Sequence, residues 1–296
     1  MRQSIILAIL LSPLAAQAQS GKTPEGYALQ WDKTITVIPD SLSIGAFKLP
    51  AWSIAVHEAD ASTVMGWLQT DMSSVSTGIS KGKPAKAMGL RLPQVPGAAM
   101  AAADASNDRK AGLARLTIAF AINDSTPTPS TDGQEAYMRE LAVKYNRAAV
   151  QQQIEDYEKQ LAKASDKLSS SKDDVAKSQS RIAKSSSQQA KTQAQRAKVE
   201  RSNARISGEI AGLEKKFALS NSPKDLKRLT KARQQLAKGE SELAKLLQKE
   251  SKIQGDIAKE QGRMSSYSSK ADERGASKEE ILDALNALRR KQDAIR

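Results

Sequence analysis

Cysteine is absent from all 296 residues, which excludes a disulfide frame, a thiolate metal site, a cysteine nucleophile and a lipidated N-terminal cysteine. Histidine occurs once, as His57, so neither a histidine metal cluster nor a histidine pair can form. Because this residue follows an apolar alternation and precedes a helix cap, a structural or surface role fits it better than catalysis. Aromatic residues make up only 4% of the chain, too few for a large globular core. Tyr27, Trp31, Phe47, Trp52, Trp67 and Phe120 all lie before residue 125, which places the globular part at the N-terminus. Long apolar runs are also missing. The longest, Ile5–Leu11, is far short of the roughly 20 residues a membrane span needs.

That run follows Arg2 and precedes Ala16-Gln17-Ala18, the order of a secretory signal with its cleavage site. Residues 1–18 are therefore expected to be a signal peptide, and the remaining chain an exported protein of the periplasm or exterior without a transmembrane segment. Charge then divides the chain. Residues 20–135 hold 10 Lys and Arg against 11 Asp and Glu, whereas 136–296 hold 35 against 22. The basic excess, with a pI near 9.7, belongs to the second part and speaks to acidic partners rather than to fold.

In the first part the apolar period is two. Thr34–Ile38, Trp52–His57 and Ala114–Ile122 alternate as half-buried strands, and Lys86–Leu92 does so more weakly. Asp60 caps a helix carrying Val64, Trp67, Leu68, Met72 and Val75. The expected order is ββαββ, an α+β domain over 19–124 with an antiparallel sheet and a helix on one face. Thr77–Pro84 reads as a basic glycine loop, and Pro93–Gly112 as a long Ala-rich connection. Ser125–Gly133 is polar and broken by proline, a linker.

From Val150 to Phe217 one heptad register runs without a skip. Its a positions include Ile154, Leu161, Leu168, Val175, Ile182 and Ile210; its d positions include Val150, Tyr157, Val199, Ile206 and Leu213. Such a repeat predicts a helix that seeks a partner. A tip is expected at 219–222, where Ser222 caps and Pro223 opens the next helix. The return helix repeats the pattern through Leu229, Leu236, Leu243, Ile253 and Ile257. Folding back there sets Leu213 near Leu229, Ile206 near Leu236, Lys191 near Glu250 and Arg196 near Leu246. An antiparallel coiled-coil hairpin over 134–274 is expected, with helices at 134–218 and 223–271; the same heptads also allow self-association. After Gly275-Ala276, the capping box Ser277-Lys278-Glu279-Glu280 predicts a separate helix over 275–296, packed back on the hairpin base.

Motifs for chemistry are thin. Ser80-x-x-Lys83 and Ser169-x-x-Lys172 match a serine-nucleophile spacing that chance produces in a chain so rich in both residues, and no Lys-Thr-Gly accompanies them. Asp173-Asp174, Asp272-Glu273 and Glu279-Glu280 are adjacent on helices and do not face one another. No catalytic set, metal site or cofactor is expected. One feature stands above background: between Val175 and Ser207, Lys177, Arg181, Lys184, Lys191, Arg196, Lys198, Arg201 and Arg205 face Glu200 alone. They read either as a solvated helical face or as a binding surface for an anionic envelope polymer or lipid headgroups. Nucleic acid fits less well, since no aromatics interleave the basic residues.

Pro50-Ala51 with Val56, then Ala59-Asp60-x3-Val64-x2-Trp67, ahead of a Lys-, Glu- and Gln-rich heptad stretch, resembles a group of uncharacterised exported bacterial proteins in which a small α/β domain precedes a coiled coil. The resemblance implies that layout and no activity. The basic balance of this chain departs from the charge-balanced stalks of that group. The function expected is that of a non-enzymatic spacer or adaptor in the envelope, with polyanion or membrane-surface binding as the alternative.

Overall fold

The computed structural model describes residues 27–129 and 132–296; the expected signal peptide lies outside them. Contacts group the chain into two units, Met1–Ala162 with Glu279–Arg296, and Lys163–Lys278.

The first unit is built on six strands: β1 (Val37–Ile44), β2 (Phe47–His57), β3 (Gly78–Ser80), β4 (Ala85–Met88), β5 (Met100–Asp108) and β6 (Leu113–Ala121). They form one antiparallel sheet in the order β1-β2-β6-β5-β4-β3. Helix α1 (Ala61–Ser73) joins β2 to β3. Its cap is the one the sequence predicts: the Asp60 carboxylate accepts from Thr63 N–H at 2.9 Å, satisfying a donor the helix leaves free. Period-two alternation then sets the core. Ile54 and Val56 of β2 and Leu116, Ile118 and Phe120 of β6 point to one face, under Val64, Leu68 and Met72 of α1 and Met138, Leu141, Ala142 and Tyr145 of the next helix. The opposite face buries a smaller set, Ile44, Leu49, Ala51, Met100, Ala102, Ala119 and Ala121.

Several expectations need correction here. The order is ββαββββ, two strands more than ββαββ. β5 runs through what reads as an Ala-rich connection, because Met100–Ala103 lacks the β-branched residues that mark strands. Held between β4 and β6, its small side chains fit where both faces are covered, so burial rather than propensity decides. β3 occupies part of the expected glycine loop as a three-residue edge strand. β1 lies at Val37–Ile44 rather than Thr34–Ile38, since its register is set by the turn: Gly45, at φ +60, closes a two-residue loop that pairs Ile44 with Phe47. The expected linker is partly tied to the sheet, with Thr128 N–H donating to Phe120 O at 3.1 Å.

Helices α2 (Asp132–Ser220) and α3 (Pro223–Ala294) form the rest. Between them Asn221 adopts φ +47 and its N–H donates to Phe217 O at 2.8 Å, a left-handed cap that asparagine tolerates. The helices run antiparallel. In the Lys163–Lys278 unit Arg181 meets Glu260 at 3.7 Å, Arg196 meets Glu250 at 2.8 Å and Arg233 meets Glu214 at 2.7 Å. Arg196 thus reaches Glu250, one turn beyond the Leu246 expected opposite it. The expected break at Gly275 is absent, and α3 is continuous. On either side of the glycine the helix is anchored to α2, by Arg274 to Lys167 O at 2.8 Å and to Ser171 Oγ, and by Lys278 to Ser165 Oγ at 3.4 Å. These ties offset the roughly 1 kcal/mol an interior helical glycine costs.

Candidate functional site

The eight basic residues singled out from sequence all lie on α2 in the Lys163–Lys278 unit. Seven are exposed, and Arg196 is half-buried. The helix places them by burying a narrow seam: Ser171, Ser178, Thr192, Ile210 and Leu213 on α2 and Leu229, Ala232, Glu250 and Ile253 on α3 are inaccessible, all at a or d positions. Nearly all residues at other positions are exposed. Three of the eight are engaged with carboxylates: Lys177 with Asp174 at 3.5 Å, Arg181 with Glu260, and Arg196 with Glu200 at 3.3 Å and with Glu250. Glu250 also accepts from Gln193 at 3.0 Å, so this seam carboxylate is doubly held. Lys184, Lys191, Lys198, Arg201 and Arg205 have no ion pair among the described residues.

The sheet unit holds a polar cluster that sequence reasoning missed, at the end of β2. Glu58 sits at φ +58, a conformation few side-chain-bearing residues adopt and one that costs about 1 kcal/mol or more. Its N–H donates to Gly112 O at 3.1 Å. The carboxylate accepts from Lys291 Nζ at 2.5 Å and from Gln153 Nε2 at 2.9 Å. Lys291, 2% exposed, also donates to Ala28 O at 2.7 Å. Two turns before Gln153 on α2, Asn146, fully buried, accepts from His57 N–H at 2.8 Å and donates to Ala55 O at 3.0 Å. The segment at Ala28, the last turns of α3 and the β2–α1 corner are thereby held together. No periodicity in the sequence marks these partners, because Glu58, Gln153 and Lys291 meet only through the fold; a glutamine and an asparagine inside the inward-facing stripe of α2 are the one signal that could have found part of it.

His57 lies beside this cluster, its ring edge-on to Trp31 with centroids 5.6 Å apart. Burial pushes its imidazole below the ordinary 6.5, and the nearby Lys33 adds to that, so the ring is neutral at pH 7. A second tie joins α1 to α2: Asp71 takes both a Lys144 ammonium at 2.7 Å and the Tyr145 hydroxyl at 3.0 Å. Burial, then the Asp71 charge, holds the Tyr145 hydroxyl well above its ordinary value, and burial pushes Tyr137 up to about 12. In each cluster the carboxylate is already matched by an internal donor. An open groove of about 830 Å³ runs along Asp132, Glu135, Arg139, Val143 and Arg147 with Arg296. Its charges are of mixed sign. Among the described residues no three His, Asp or Glu side chains gather as a metal ion requires, and no helix is long and apolar enough to cross a membrane.

No protein-family model matches this chain, and no curated protein matches it significantly.

Proposed function

We propose that this chain is a non-enzymatic, exported envelope protein in which a sheet unit carries a coiled-coil helical hairpin serving as a spacer or adaptor for protein or envelope contacts. One observation supports the reading most. Residues 163–278 bury little beyond the a and d seam, so what this long stretch builds is outward surface rather than a pocket. The polar groups that do converge, in the sheet unit, are consumed by ties such as Glu58–Lys291. The leader Arg2 to Ala18 supports export.

The test combines two readings in a bacterial host. Mass spectrometry of the purified product should give an N-terminus at Gln19, and a photo-crosslinker placed at Leu219, which is 90% exposed at the tip, should give a discrete envelope adduct. Retention of residues 1–18 in the cytoplasm would overturn export, and a hydrolytic activity lost on mutating a sheet-unit residue would overturn the non-enzymatic reading. A second reading has its own support: five of the eight candidate cations on α2 lack a carboxylate partner. It makes the basic hairpin a polyanion- or membrane-surface-binding module.

A further inference from the structure

The seam of the Lys163–Lys278 unit fixes where every other residue of its two helices stands. Residues seven apart share a line along a helix whose a and d positions face a partner. The residues two places after each a position form such a line. On α2 they are Lys177, Lys184, Lys191, Lys198 and Arg205, and on α3 they are Lys224, Lys231, Lys238, Lys245, Lys252 and Lys259. All eleven are exposed. Only Lys177 has a carboxylate in ion-pair range among the described residues. Successive cations in a row stand about 10 Å apart, the rise of one heptad.

Antiparallel pairing brings both rows to one broad face. In such a pair e positions meet across one flank and g positions across the other; Glu214 and Arg233, joined at 2.7 Å, are both e residues. Each c residue lies three and four places from a g residue on its own helix and so stands beside it. Both cationic rows therefore border the g flank. Over Val175–Phe217 and Pro223–Met264 the c and g positions carry sixteen cations against Glu209, Glu242 and Asp256. The b and e positions of the opposite face carry Arg233 against Glu200, Glu214 and Glu240, and on α2 the b residues are Ala176, Ala183, Ala190, Ala197, Ala204 and Ala211. A merely solvated helix pair scatters its charges around the wheel and pairs them at i,i+4. Here they are sorted to one side, and of the sixteen only Lys177, Arg181 and Arg263 have a carboxylate in ion-pair range among the described residues.

We propose that this face lies flat on an anionic lipid bilayer, the two rows meeting headgroup phosphates, an inference that rests on the second reading above and deepens it. A linear polyanion lying between the rows would run over Glu209, Glu242 and Asp256 as well as Arg181, Lys216, Arg228, Lys249 and Arg263. A plane meets several neighbouring cations of both rows at once, the rows winding slowly about the pair along its length. No apolar side chain occupies a c or g position in these spans, so the contact is electrostatic and does not insert, and salt weakens it.

The experiment is flotation of the full chain with phosphatidylcholine vesicles, with and without about one-third phosphatidylglycerol. Binding is expected only to the anionic vesicles, and is expected to disappear as salt rises from about 0.05 to about 0.5 M. Replacing Lys184, Lys191, Lys198, Lys238, Lys245 and Lys252 by Gln should weaken binding at least about tenfold. The same charge loss placed in the sheet unit, at Lys48, Lys81, Lys83, Arg91, Arg109 and Lys110, should change it by less than about threefold. Arginine at the six row positions should bind like the parent, and circular dichroism should show all variants equally helical. Equal weakening by the two glutamine sets, or no binding to anionic vesicles at low salt, would overturn the proposal while leaving the adaptor reading, tested at Leu219, untouched. Soluble polyphosphate binding more tightly than vesicles of matched phosphate content would overturn the planar ligand in favour of a linear one.

Discussion

The sheet unit and the helical unit bury different things. Around β2 and β6 the interior is continuous and apolar, with Val56, Val64, Leu116 and Ile118 inaccessible, and most of its few polar groups are held by long-range ties, Thr128 Oγ1 and Gln153 Oε1 being the exceptions. Along the helices the buried seam contains Ser171, Ser178, Thr192 and Glu250, and apolar packing concentrates in a small cluster near the tip, Ile210, Leu213, Leu229 and Ala232. Large apolar area removed from water holds the first unit. The second depends on helix propensity and many weak contacts, and opens locally where those are thinnest. The difference teaches that one unit is built to be stable and the other to be long.

The largest expected contrast comes from truncating one leucine in each. Leu116→Ala, in the centre of β6, should cost about 3 to 4 kcal/mol; Leu213→Ala, in the four-residue cluster near the tip, should cost about 1 to 2 kcal/mol. Urea unfolding followed by tryptophan emission, with Trp31, Trp52 and Trp67 all in the sheet unit, should register the first and scarcely the second, while hydrogen exchange should register the second near the tip. Equal effects on both probes would mean the units unfold as one.

Removing one partner of the buried tie comes next. Glu58→Ala leaves the inaccessible Lys291 ammonium without its carboxylate, at a cost of about 3 kcal/mol, whereas replacing Arg196 and Glu250 together by Leu in the helical seam should be neutral or stabilising by about 1 kcal/mol. A helical seam that needs its ion pair as much as the sheet unit does would reverse the comparison.

Two glycines on α3 sharpen it further. A Cβ at Gly255 meets nothing within 4 Å, so Gly255→Ala should raise stability by about 0.8 kcal/mol. At Gly239 a Cβ would strike Asn203 Oδ1. Gly239→Ala should therefore gain less, and recover the gain when combined with Asn203→Ala. Differential melting of the helical signal is the measurement.

The smallest effect is a pH dependence confined to the sheet unit. The folded His57 holds its proton less tightly than the unfolded chain, so stability is complete above pH 6.5 and declines as pH falls through the window below it. Asp40, held low by Ser53, and Asp60, held low by the Thr63 N–H, lose their contributions only below pH 3.8. His57→Gln should flatten the upper window alone, read from urea midpoints between pH 7 and 5.

Much of this was legible in the chain. The Asp60 cap, the alternation of β2 and β6, the turn before Pro223 and the antiparallel direction of the helices follow from local spacing. β5 was not, because alanine signals no strand until neighbours cover both of its faces. The helix through Gly275 was hidden as well; the capping box beside it suggested a start, but anchors on α2 carried the helix past. Glu58, Gln153 and Lys291 could not be joined on paper, being separated by most of the chain.

The sequence by itself determined the two kinds of element and the heptad seam, since period and capping are local properties that each short segment carries with it. Only the tertiary structure decided strand order, the closing of the β2 corner on Lys291, and the sorting of two cationic rows to one face. Those depend on which distant segments lie side by side, and that is settled by the burial of shared surface rather than by any residue's own preference.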